Sequence, residues 1–92
     1  MSISTVFGMA SMNAEKYGRV IKDLEATGQG KPNGRLYHVA SIQDDGSFMV
    51  TDVWESPELL AEFRKTLMPL LKNAGVTPVE PKVHLVHDVI GR

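Results

Sequence analysis

The stretch Val50-Thr51-Asp52-Val53-Trp54-Glu55-Ser56-Pro57 constrains the fold most, because it sets a strand end directly against a helix start. β-branched and aromatic residues favour a strand up to Trp54. Ser56 is a preferred N-cap, Pro57 takes the first helical position where a missing N–H costs nothing, and Glu58 adds favourable charge to the first turn. The lone tryptophan therefore stands where strand hands over to helix, a place where a cleft can open.

The rest of the chain extends this alternation. Ile3 to Ala10, apolar and β-branched with Ser4 and Thr5 interleaved, reads as a first strand. Asn13 caps a helix from Ala14 to Ala26, with Ala14, Tyr17, Val20, Ile21 and Leu24 on its apolar face and Gly28 as its left-handed stop. The segment Gly28-Gln29-Gly30-Lys31-Pro32-Asn33-Gly34 follows a helix and lacks Ser or Thr after its lysine, so it reads as a mobile connection and not as a phosphate cradle. Leu36 to Ile42 and Phe48 to Trp54 are the second and third strands, joined across Asp44-Asp45-Gly46. The second helix presents Leu60, Phe63, Leu67, Leu70, Leu71 and Ala74 on one face, with a kink or break expected near Met68 because of Pro69, and Gly75 and Pro78 ending it. Val83 to Ile90 is the fourth strand, followed by a short Gly91-Arg92 tail.

The order βαββαβ predicts an α+β ferredoxin-like fold: a four-stranded antiparallel sheet with both helices on one face. A water-facing sheet surface would alternate polar and apolar residues, yet strands two, three and four carry apolar side chains on both faces. No spare segment remains to cover the second face. A second copy related by a two-fold axis is the economical cover, so a homodimer is expected.

Ninety-two residues with 42% hydrophobic and 23% charged content form one domain, 1–92. A chain this short buries only roughly 60–65% of its unfolded surface, so a subunit interface adds useful stability. The formal charge of -1 gives no electrostatic footprint for nucleic acid or an anionic membrane. Cysteine is absent, which removes disulfides, thiolate nucleophiles and thiolate-held metals. No signal peptide or membrane span is read at the N-terminus, so a cytoplasmic protein is expected.

His38-Val39-Ala40, Asp44-Asp45-Gly46, Asp52-Val53-Trp54-Glu55-Ser56, Phe63 and Val86-His87-Asp88-Val89-Ile90 together give a chain that resembles the dimeric α+β-barrel superfamily. That superfamily includes the antibiotic-biosynthesis monooxygenase-like proteins and the heme-degrading monooxygenases. The resemblance implies a dimeric barrel with a ligand cavity between sheet and helices, lined here by Asp52 and Trp54. Heme-degrading members pair a strand tryptophan with an asparagine on the first strand and a histidine on the second helix. Ile3 to Ala10 holds no asparagine and the second helix no histidine, so heme degradation lacks its residues and no cofactor is expected. The Asn, Trp, Tyr and Arg set of cofactor-free members is not intact either.

His38 lies in mid-strand, where imidazole can serve as a general base near neutral pH or as a hydrogen-bonded packing residue. Its partner depends on hairpin register. A three-residue Asp44-Asp45-Gly46 loop with Gly46 left-handed sets His38 opposite Asp52 on one face, with Phe48, Val50 and Trp54 gathered against Leu36, Ala40 and Ile42. A two-residue Asp45-Gly46 turn slips the register and turns Asp52 away. Gly46 favours the longer loop. Asp52 in an apolar strand needs a donor, be it His38, a helix N-terminus or a ligand. Trp54 suits a pocket wall or the core equally, and His87 can approach the cavity or the dimer interface. His84 and His87 face opposite sides of a strand, so no metal site is expected. The resulting expectation is a small apolar or aromatic ligand, Trp54 and His87 touching it, and His38 with Asp52 as the catalytic pair if the protein is a cofactor-independent monooxygenase or isomerase. The rival expectation is a non-catalytic assembly or partner-binding module.

Overall fold

The computed structural model of the chain describes residues 2–77 and 79–90. Its elements are β1 (Ile3–Met9), α1 (Ala14–Ala26), β2 (Arg35–Ile42), β3 (Phe48–Trp54), α2 (Pro57–Asn73) and β4 (Lys82–Leu85). The strands form one antiparallel sheet in the order β2-β3-β1-β4, an α+β ferredoxin-like arrangement. Both helix caps anticipated from sequence are made: Asn13 Oδ1 accepts from Lys16 N–H at 2.8 Å, and Ser56 Oγ accepts from Leu59 N–H at 3.3 Å.

The core lies between the helices and one sheet face. Ile3, Phe7 and Met9 of β1 and Phe48, Val50 and Trp54 of β3 meet Val20 and Leu24 of α1 and Leu60, Phe63 and Leu71 of α2. α2 runs unbroken through Pro69 to Asn73, so the helix does not break near Met68. An interior proline costs about 3 kcal/mol. Burying a single leucine contributes about 1.5–3 kcal/mol, and Leu70 and Leu71, just beyond the proline, both pack into the core, so continuing the helix wins.

The hairpin adopts the longer loop. Ile42 pairs with Phe48, Gln43 N–H donates to Ser47 O at 2.8 Å, and Gly46 takes φ 86°, which an L side chain disfavours. The Asp45 carboxylate braces the turn by accepting from the Ser47 hydroxyl at 2.6 Å and from its N–H at 2.9 Å. Those bonds, the hydroxyl's foremost, hold Asp45 below the usual carboxylate pKa.

At the other end of β2 the register shifts, with Arg35 opposite Trp54 and Tyr37 opposite Val53, so Leu36 is the extra residue of a bulge. Leu36 and, at the loop end, Ile42 are exposed and do not join the core. Only Ala40 of the expected β2 trio packs against it.

The fourth strand is also shorter than Val83 to Ile90. Leu85 pairs with Ile3 and Val86 N–H donates to Ser2 O at 3.0 Å, after which no further pairing with this edge is seen among the described residues. Residues 87–90 carry no strand. Pro78 as a helix stop and the Gly91-Arg92 tail lie outside the described residues. No helix among the described residues is long and apolar enough to cross a membrane.

Candidate functional site

Three polar side chains from three elements form a continuous hydrogen-bonded line. His38 and Asp52 are register partners across β2 and β3, and His38 Nδ1 lies 2.6 Å from Asp52 Oδ1. From α1, the Tyr17 hydroxyl lies 2.6 Å from His38 Nε2. Ionised Asp52 only accepts, so Nδ1 carries a proton; in the neutral ring Nε2 is then the acceptor and the tyrosine hydroxyl donates to it. Asp52 is buried, at 5% exposure, and such a carboxyl is tolerated only when hydrogen-bonded. The Tyr17 ring is held between Phe48, centroids 5.2 Å apart, and His38, nearly parallel at 6.1 Å.

The line borders a cavity of about 50 Å³ between sheet and helices. Its walls are mainly apolar, with Met9, Met12, Phe63, Leu67 and Met68 facing Tyr17, His38 and Asp52. Arg35 closes one side, its guanidinium carbon 5.8 Å from the centre of the Phe63 ring. Burial pushes the Tyr17 phenol above its ordinary pKa; the nearby Arg35 guanidinium opposes that, and Asp52 reinforces it.

The other two expected ligand contacts stand elsewhere. Trp54 is fully enclosed, with Phe63 tilted against it at 5.4 Å, so Phe63 forms the wall at that point and Trp54 stands behind it. Its indole N–H and the Thr5 hydroxyl, the latter on the residue paired with Asp52 in β1, are buried without hydrogen-bond partners among the described residues. His87 is exposed beyond β4 and outside the cavity lining. Among the described residues no three His, Asp or Glu side chains are grouped to hold a metal ion.

Sequence reading missed Tyr17 and Arg35. Spacing alone sets Tyr17 among the apolar positions of α1, although a tyrosine on a buried face ordinarily needs a partner for its hydroxyl, and that is the available signal. Arg35 gave none. Residues 35 and 38 face opposite sides of a regular strand, and only the bulge at Leu36 brings both to the helix side.

No protein-family profile matches the chain, and no curated protein matches it in sequence. Solved structures match it over nearly its whole length. One, described as a candidate antibiotic biosynthesis monooxygenase from Chloroflexus aurantiacus, aligns with a TM-score of 0.69 at 13% identity, covering 99% of this chain and 98% of the other. A similarly described protein from Deinococcus radiodurans gives 0.60 at 21% identity over 100% and 98% of the two chains. SnoaB, a cofactor-independent oxygenase from Streptomyces nogalater, gives 0.62 at 11% identity over 99% and 96%. The chain thus shares the ferredoxin-like α+β fold of the antibiotic biosynthesis monooxygenase domain proteins.

Proposed function

We propose that this protein binds a small apolar or aromatic molecule in the cavity between sheet and helices, and that Tyr17, His38 and Asp52 withdraw a proton from it without a cofactor. The observation that carries this reading is the unbroken line from Tyr17 to buried Asp52, ending in an apolar space. A bound carbon or oxygen acid would give its proton to the Tyr17 oxygen as the tyrosine proton passes to His38 Nε2. Asp52 fixes the ring orientation and stabilises the imidazolium that forms. The electron pair stays on the ligand. Return of the proton at another carbon makes the protein an isomerase. Reaction with dioxygen makes it an oxygenase: a ring-adjacent CH₂ becomes C=O, one oxygen atom goes to carbon and the other leaves as water. SnoaB, with the same fold, is described as a cofactor-independent oxygenase, which favours the second outcome.

Cavity size sets a condition. An apolar void of about 150 Å³ accommodates benzene, so at about 50 Å³ even one ring requires the walls to yield. Met9, Met12 and Met68 are the flexible side chains suited to doing so.

The same reading includes a homodimer. The sheet face away from the helices carries Val39 and Met49 exposed, with Val6 and Val53 half-buried beside them, and a second copy would cover this apolar strip.

The test is a panel of phenols, quinols and aryl ketones with an acidic CH₂, followed by ligand-detected NMR for binding and an oxygen electrode for turnover. Binding with oxygen uptake supports the oxygenase, and exchange of a ligand C–H with deuterated solvent without uptake supports the isomerase. Binding with neither, unchanged in His38→Gln, would reduce the protein to a binding module.

A further inference from the structure

Two spaces meet at Arg35 and His38. Behind them lies the apolar cavity, and in front lies an open groove of about 240 Å³ lined by Lys31, Pro32, Leu36 and Tyr37 as well as the same two residues. The groove is therefore the natural way in, and its charge is one-sided: Lys31 and Arg35 line it, and no aspartate or glutamate does.

The two arginines of the inner cavity differ in their partners. Arg64 meets the exposed Glu80 carboxylate at 3.4 Å. Arg35 forms no ion pair among the described residues; its bonds are a 3.4 Å contact from Nη2 to Gly30 O and the face of Phe63. Asp52, the only carboxylate lining the inner cavity among the described residues, is engaged by His38. A half-buried guanidinium with donors to spare, beside an apolar void, is matched by a planar anion that takes two parallel N–H bonds.

We propose that the ligand is an anion with an apolar or aromatic body, whose carboxylate or equivalent planar oxyanion is held by Arg35, with Lys31 at the lip, while its body enters the cavity toward Tyr17 and His38. This rests on the reading of the cavity as a binding site for such bodies and adds the charge of the ligand to it. Arg35 then acts as a specificity residue. It fixes which end of the ligand leads, so that the end remote from the anion meets the Tyr17 hydroxyl.

The probes are 2-hydroxybenzoate and its neutral counterpart 2-hydroxybenzamide, titrated into the full chain by calorimetry. The carboxylate is expected to bind at least about tenfold more tightly than the amide, the ordinary advantage of a bidentate charged pair. Arg35→Gln should erase that preference by weakening the carboxylate far more than the amide, and Lys31→Gln on the exposed loop should lower the carboxylate's affinity alone, by about threefold. Should Arg35→Gln fail to fold, Lys31→Gln and a salt series on wild type still decide, since salt should weaken only the carboxylate. Equal affinities in wild type, or a preference that survives Arg35→Gln, overturn the proposal while leaving the cavity reading standing. Binding of neither probe overturns both.

Discussion

The Tyr17 hydroxyl of α1 lies 2.6 Å from Nε2 of His38 in β2, so the ring nitrogen that would act as base is already engaged by a tyrosine from another layer of the fold. Tyr17→Phe removes that link with little change in shape. Stability is expected to fall by about 0.5–1.5 kcal/mol, the net worth of one hydrogen bond. If Tyr17 relays the proton, ligand C–H exchange should drop by about 10²-fold or more with binding nearly unchanged. A variant that exchanges as fast as wild type would mean His38 acts directly.

Removing His38 should harm the fold more than removing the whole pair. In His38→Leu, Asp52 stays buried with its imidazole partner gone, at an expected cost of about 3–5 kcal/mol, whereas His38→Leu combined with Asp52→Leu leaves no stranded charge and should recover much of the loss. Urea denaturation of wild type, both single variants and the double variant measures the coupling. Additive losses would show that His38 and Asp52 do not depend on each other.

Much of this arrangement was legible in the sequence, for definite physical reasons. Ser56 and Asn13 announce helix starts through chemistry that acts within three residues, and Gly46 selects a loop length that sets His38 opposite Asp52. What stayed hidden depends on departures from regular periodicity or on packing. The Leu36 bulge brings Arg35 to the helix side and turns Leu36 out of the set that period-two counting gathers with Ala40 and Ile42. Trp54 and Phe63 are both large, apolar and near the strand–helix junction, and only the packing places Phe63 on the cavity and Trp54 behind it. The fourth strand was overrun because its pairing ends where β1 begins, which no local propensity records.

Arg35 and Tyr17 should be coupled in titration. Burial raises the Tyr17 pKa and the Arg35 guanidinium opposes that rise, so Arg35→Gln is expected to move phenol ionisation to still higher pH. A folded-state pKa above the ordinary value of about 10 means that the stability contributed by the neutral phenol is present below that pH. It is lost as the pH climbs through the folded-state pKa. Near-ultraviolet phenolate absorbance, assigned by comparison with Tyr17→Phe because the chain holds a second tyrosine, reads the shift. No movement on Arg35→Gln would place the guanidinium too far away to act.

The exposed strip on the outer sheet face gives a test of assembly that does not touch the cavity. Val39 is 54% exposed and lies on the opposite side of β2 from His38. If a second copy covers it, Val39→Asp buries a charge at the interface and should raise the dissociation constant by about a hundredfold or more. Light scattering should then report about twice the 10.1 kDa chain mass for wild type and a single chain mass for the variant, with circular dichroism unchanged. A wild-type monomer at micromolar concentration would end the barrel reading.

Gly34 is where the backbone delivers Arg35 to the cavity, and it tolerates no side chain. Its φ is 89°, its carbonyl accepts from Glu55 N–H at 2.8 Å, and an added Cβ would sit 2.9 Å from Cβ of Leu59 in α2. Gly46 shares the left-handed backbone, with φ 86°, but an added Cβ there would meet nothing within 4 Å. Gly46→Ala should therefore cost only the backbone term, about 1–2 kcal/mol. Gly34→Ala carries the same term plus displacement of Leu59 from its seat against the core, about 1–3 kcal/mol more by analogy with overpacking. Urea melts of the two variants compare them directly. Binding of 2-hydroxybenzoate adds a second readout, because moving residue 34 also moves Arg35, so affinity should fall in Gly34→Ala and hold in Gly46→Ala. Equal destabilisation in both variants would show that the contact with Leu59 relaxes freely and that Gly34 is needed for its backbone angle alone.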